Sequence, residues 1–328
     1  MSQRRQTLPW FVFGILASLS FVGCSGCSTA PTNIWPKKPG PKVMTSFAPL
    51  YCFAATVGGD DANVLCLLDG GSIHDYQMTA RDALKLGNAD LFLINGLALD
   101  DTFGTKLRDS AGNRKLKLVE VGEAIPETIL RPMDADHGHD HSKCKHAHGK
   151  FDPHVWLGIP EAVLMVASIR DQLKEFDPAH AAGYESRAAD YSARLKALHE
   201  EGKALLAGKQ EKKIVTFHDS MAYFARAFGL EVLDSIQPMA GEEPSATHLK
   251  KLVELCQKEK VRIIAVEPNM MSNSAAKTLV DELRRRGVAD AQLVEIDILE
   301  SVPAQDLTPG YYEEKMRHNI QALARVLQ

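Results

Sequence analysis

The amino-acid sequence predicts an α/β protein of two lobes. Each lobe is a parallel β-sheet flanked by helices, and one long rigid helix joins them. Three observations carry this. Short runs rich in Val, Ile and Leu fall in two sets of four; helical patterns alternate with them; and residues 160–208 contain no strand-like run. Alternation of this kind produces parallel sheets covered on both faces, and two sets make two lobes.

The first set is "KVMTSF" (42–47), "NVLCLLD" (63–69), "DLFLIN" (90–95) and "LKLVEV" (116–121), with helical spacing of apolar residues over 50–59 and 76–88. The second is "KIVTFHD" (213–219), "LEVLDSI" (230–236), "VRIIAVEP" (261–268) and "QLVEID" (292–297), with helical patterns over 220–229, 244–259 and 273–287. Between the sets, 160–178 is an amphipathic helix stopped by Asp177-Pro178, since the residue before a proline avoids the helical region. Residues 179–208 form the strut, about 40 Å long at 1.5 Å per residue. Another amphipathic pattern at 309–327 closes the second lobe. The lobes are therefore bounded at 42–178 and 209–328, with 179–208 as the linking helix.

The N-terminus has a different character. Arg4 and Arg5 precede an apolar run over 8–22, shorter than the roughly twenty residues that cross a bilayer. This is the pattern of a secretory signal, residues 1–23. Gly23-Cys24 resembles the cleavage site of a bacterial lipoprotein, with Cys24 as the lipidated residue, although Phe21 stands where such signals usually carry Leu. Residues 24–41, small, polar and Pro-rich, read as a tether from a bacterial membrane to a periplasmic or cell-surface domain. The chain of 328 residues is 45% apolar and 24% charged, and its net charge of −4 gives no reason to expect nucleic acid as a partner. Cys52 and Cys66 flank a short segment and could pair, Cys144 sits among histidines, and Cys256 reads as a small buried hydrophobe. No disulfide framework follows.

Six histidines fall within eighteen residues: His137, His139, His141, His146, His148 and His154. Imidazole is a common ligand for zinc. The first five have no regular spacing and lie among Asp, Gly, Ser and Lys in a His-rich loop at 134–150, whereas His154 stands in the stiff turn "DPHVWLGIP". In open α/β sheets ligands bind at the carboxyl ends of the strands. That rule selects His218 after "KIVTF", Asp297 at the end of "QLVEI", and His74 in the loop "GGSIHDY". With His154, two candidates come from each lobe, so an ion held by all four would sit in the cleft between them. No "HExxH" spacing, the mark of many zinc hydrolases, occurs. His180, His199, His248 and His318 lie on helical patterns with charged neighbours and read as surface residues. Met270-Met271 reads as packing.

The chain resembles the metal-binding, cluster A-I solute-binding proteins of bacterial ABC importers, and among them the zinc type. The segments that carry the resemblance are "VGGDDANVLCLLDGGSIHDYQMT", "DPHVWLGIP", "TFHDSMAYFARAFGL", "GEEPSATHLKKL" and "YYEEKMRHNIQAL". The resemblance implies the metal ligands His74, His154, His218 and Asp297, and a monomer that is not an enzyme. It also implies Zn2+ as the captured ion, and an ABC permease with its ATPase as partners. Relatives tuned to manganese usually carry Glu at the third position, where this chain has His218. Three imidazoles and one carboxylate suit zinc, while manganese prefers oxygen-rich sites. The pattern is departed from after Asp297, where "DILESV" stands in place of a Pro-Leu-like pair. By resemblance, the five histidines from 137 to 148 form a weak, metal-collecting loop. The alternatives are a manganese- or iron-type receptor of the same family, a zinc-dependent hydrolase, and an adhesin lipoprotein that binds metal for stability.

Overall fold

A computed structural model describes residues 34–68, 70–133, 149–237 and 243–328. Cys24 and His137, His139, His141, His146 and His148 lie outside the described residues. Eight strands occupy the eight expected runs: β1 (Lys42–Thr45), β2 (Asn63–Cys66), β3 (Leu91–Ile94), β4 (Lys117–Glu120), β5 (Lys213–His218), β6 (Glu231–Gln237), β7 (Ile263–Val266) and β8 (Gln292–Glu295). They form two four-stranded sheets ordered β2-β1-β3-β4 and β6-β5-β7-β8, the same topology twice. Every pairing within them is parallel. The runs Leu91–Ile94 and Ile263–Val266 are buried at every residue, as strands covered on both faces must be.

The helices are α1 (Ala48–Gly58), α2 (Ala80–Leu86), α3 (Asp101–Ser110), α4 (Ile159–Phe176), α5 (Ala181–Ala207), α6 (Ala222–Phe228), α7 (Ala246–Glu259), α8 (Ser274–Arg285) and α9 (Tyr311–Val326). All but α3 coincide with an expected pattern. Asp101–Ser110 buries only Gly104 and Leu107, too thin an apolar face to read as a period. Gly104 also weakens the helical signal. Its reason is spatial, because a Cβ there would stand 3.1 Å from Ile94 Cδ1.

The long helix α5 runs for 27 residues. It is not an isolated strut: it packs on α1 and α4 of the first lobe and on α6 and α9 of the second. One apolar core continues through both lobes, from Val43 and Phe53 through Trp156 and Tyr191 to Phe224 and Ile320. A smaller core under α7 and α8 belongs to the second lobe alone. Cys256 is buried there, as expected, while Cys52 and Cys66 are not joined by a disulfide. Cys52 donates to Thr308 O, and burial pushes its thiol up to about 12. No helix among the described residues is long and apolar enough to cross a membrane.

Gly202 marks the tightest crossing of α5. A Cβ there would lie 2.5 Å from Phe228 Cε1 and 2.9 Å from Ile320 Cδ1, so α6 and α9 approach only because the position is bare. Overpacking of this kind costs about 1–3 kcal/mol. Gly202→Val is therefore expected to lower the thermal midpoint of unfolding by several degrees, measured by circular dichroism. An unchanged midpoint would mean that the crossing relaxes freely.

Candidate metal centre

Four side chains from four different loops meet where the carboxyl ends of the two sheets face each other. His218 is the last residue of β5, the strand beside which the order of the second sheet reverses. Glu267 directly follows β7 on the other side of that switch point. Glu300 lies five residues beyond β8, in the turn after Asp297. From the first lobe, His74 follows β2 in a loop whose Gly70 and Gly71 adopt left-handed φ of 73° and 76°, a state glycine enters without strain. His154 precedes a short 3-10 turn, Val155–Leu157, that leads into α4. Asn95, just past β3, donates to Pro153 O at 3.0 Å and holds that turn over the sheet end.

The functional atoms converge. One ligand atom each of His74, His154, His218 and Glu300 lies within 4.8 Å of all the others. His74 Nε2 and His154 Nε2 are each 3.3 Å from Glu300 Oε1, and His218 Nε2 is 3.8 Å away. The imidazole centroids stand 5.4–5.8 Å apart. The three Nε2 atoms and Glu300 Oε1 are buried, and none has a hydrogen-bond partner among the described residues. A zinc ion with bonds of about 2.0–2.1 Å would set tetrahedral ligands about 3.3–3.4 Å apart. Two of the three nitrogen-to-carboxylate edges already have that length. The residues present therefore fit a small divalent ion without rearrangement of the backbone.

Two carboxylates hold the rings from behind. Asp152 Oδ1 accepts from His154 Nδ1 at 2.8 Å and from His154 N at 2.9 Å. Glu267 Oε1 accepts from His218 Nδ1 at 2.6 Å. Each bond holds a proton on Nδ1 and aims Nε2 at the cluster. Burial pulls the His154 imidazole down, but the charge and hydrogen bond of Asp152, with Glu300 adding to them, outweigh it and raise the group to about 10. For His218 too, burial acts downward and the bond to Glu267 and the charge of Glu300 prevail, so the group is raised. Glu300 is held well below the usual carboxylate range: burial opposes ionisation, and the three surrounding imidazoles overcome it. Glu267 thus orients a ring from behind, while Asp75 lines the cleft.

Asp297 stands outside the group of four. Its Oδ2 accepts from Tyr311 Oη at 3.0 Å and its Oδ1 from Leu299 N at 2.8 Å. Asp297, the expected fourth ligand, is thus hydrogen-bonded within its turn and to α9, and Glu300, three residues on, is the carboxylate grouped with the three imidazoles. The signal for this was the "DILESV" departure, which holds both carboxylates; spacing alone could not choose between them. The cleft in front of the cluster has a volume of about 360 Å³ and is walled by His74, His218, Glu300, Glu267, Asn269 and Asn273, with His154 buried behind them. Two histidines expected at the surface are tied inward. His199 Nε2 contacts Ala227 O at 2.9 Å and His248 Nε2 contacts Ser235 O at 2.7 Å. Met270 and Met271 pack on the second core.

Comparison with known proteins agrees with this architecture. "Zinc-binding lipoprotein AdcA" of Streptococcus pneumoniae serotype 4 is 32% identical over 314 residues, which cover 94% of this chain and 58% of that protein. The chain thus spans little more than half the length of that relative. Among solved structures, the manganese-complexed solute-binding protein FpvC of Pseudomonas aeruginosa has a TM-score of 0.73 at 27% identity, covering 88% of this chain and 98% of that one. The AdcAII protein of Streptococcus pneumoniae gives 0.73 at 26%, covering 88% and 99%. A family model described as "ZnuA: Zinc-uptake complex component A periplasmic" matches residues 43–326, nearly the whole described chain, and the protein belongs to that family.

Proposed function

We propose that this protein is an extracytoplasmic receptor that captures a zinc ion in the cleft between its lobes and delivers it to an ABC permease driven by an ATPase. The ligands are His74, His154, His218 and Glu300. The observation that carries this reading is the convergence of four buried donor atoms, none with a hydrogen-bond partner among the described residues, within 4.8 Å of one another. Four protein ligands leave no open position on which a water could be activated, so the site favours carriage over hydrolysis. Three neutral imidazoles and one carboxylate favour zinc over manganese. The Gly23-Cys24 signal supports a lipid-anchored monomer outside the cytoplasm, and the zinc-binding lipoprotein among the relatives points the same way.

The core shared by both lobes opposes a wide hinge swing. Release then depends on movement of the loops that bear the ligands and on docking to the permease. The His-rich stretch holds none of the four ligands. As a collecting segment it would raise the local zinc concentration without contributing to the tight site.

Metal titration with elemental analysis tests the ligand set. One tight zinc per chain is expected, lost in His218→Ala and retained when residues 137–148 are deleted. Loss of the tight site on deletion would overturn the assignment.

Proton release gives an independent check. Because Asp152 and Glu300 raise His154 to about 10, and Glu267 and Glu300 raise His218 above its ordinary value, an entering ion competes with protons for the Nε2 atoms. Zinc binding at pH 7 is expected to release one to two protons per ion, with affinity rising with pH and falling in acid. Calorimetry in buffers of different ionisation enthalpy reads this number directly. Binding without proton release would mean that both rings are neutral before the ion arrives.

A further inference from the structure

We propose that Asp297 is the positioning residue for Glu300: it does not touch the ion, but fixes the turn that carries the fourth ligand into the cleft. The inference rests on the zinc-receptor reading above.

Every residue of the turn is held. Asp297 N donates to Asn319 Oδ1 at 2.9 Å, and Asn319 Nδ2 donates back to Asp297 O at 2.7 Å. Asn319 is itself fully buried in α9, so this pair anchors the start of the turn to the core. Across the cleft, Trp156 Nε1 donates to Ile298 O at 2.8 Å, two residues along from His154. Leu299 has a φ of 64°, a left-handed state that a leucine keeps only when its surroundings impose it. What imposes it is Asp297, whose Oδ1 accepts from Leu299 N at 2.8 Å. The other oxygen is taken by Tyr311 Oη at 3.0 Å, with Lys315 Nζ 3.5 Å away. Both carboxylate oxygens are thus committed to shaping the turn. The next residue, Glu300, leaves Oε1 bare and aimed at the three imidazoles. A left-handed residue between two carboxylates reverses the chain, so that Asp297, at the edge of the cleft, bonds to α9 while Glu300 reaches the imidazoles.

The test is a comparison of variants of the full chain, read by zinc competition titration and by the visible spectrum of the cobalt-loaded protein. Asp297→Ala is expected to weaken zinc binding on the order of 10–100-fold, the usual cost of losing a residue that orients a ligand. The intense cobalt bands of a four-coordinate site should fade with it. Asp297→Asn keeps an acceptor for Leu299 N and should stay within a few-fold of the parent. In a Glu300→Ala background, Asp297→Ala should cost nothing more, because the residue it positions is gone.

If Asp297→Ala fails to fold, Tyr311→Phe decides the question. It frees Oδ2 without removing the carboxylate, so a positioning role predicts a several-fold loss, whereas a reserve ligand predicts equal or tighter binding. Equal losses from Asp297→Ala in both backgrounds, no rescue by Asn, or no effect of Asp297→Ala would each overturn the proposal. A parent chain that binds no zinc would instead overturn the receptor reading.

Discussion

Buried polar atoms normally have partners, and leaving one without costs about 1–3 kcal/mol. Here four such atoms, on His74, His154, His218 and Glu300, share one small volume. The carboxylates Asp152 and Glu267 fix two of the rings by holding their far nitrogens. The rest of the structure follows from the need to keep this group assembled. Strand ends supply rigid starting points, and cross-lobe hydrogen bonds stop the loops from drifting apart.

Those cross-lobe bonds are more numerous than a single connecting helix requires. Gly70 N donates to Val302 O at 2.9 Å, tying the His74 loop to the segment after Glu300. Tyr223 Oη of α6 donates to Asp152 O and accepts from Arg131 N, both at 3.0 Å. Tyr312 Oη of α9 donates to Trp156 O at 2.7 Å. With the apolar core running through both lobes, these contacts make the interface part of the interior. Motion that frees an ion therefore starts in ligand-bearing loops, above all the one with two left-handed glycines, rather than in the lobes as bodies.

Much of this was legible in the sequence, for identifiable reasons. The central strands could be read because a sheet covered on both faces demands unbroken apolar runs, as at Leu91–Ile94 and Ile263–Val266. The three histidines could be read because strand-end position and a stiff Pro-bounded turn are local features. What could not be read depended on contacts distant in the chain. Glu300 joins the three imidazoles while Asp297 is tied to Asn319 and Tyr311 in α9 beside the left-handed Leu299, and none of these leaves a periodic trace. His199 and His248 look like surface residues on charged helices, yet each finds a carbonyl on a neighbouring element. The helix α3 escaped notice because a glycine required by packing hid its period.

Electrostatics offers the last link between the fold and ion traffic. Without an ion, His154 and His218, both raised above their ordinary value, face three carboxylates, Asp152, Glu267 and Glu300. Exchange of ring protons for a divalent ion limits the change in net charge of the buried cluster. That matters because any change of buried charge carries a desolvation cost of several kcal/mol. A site that swaps protons for metal can therefore bind tightly and still release, since each state keeps positive charge beside the carboxylates. The carboxylates behind the rings do more than orient them: they hold positive charge in the cleft, as ring protons or as the ion.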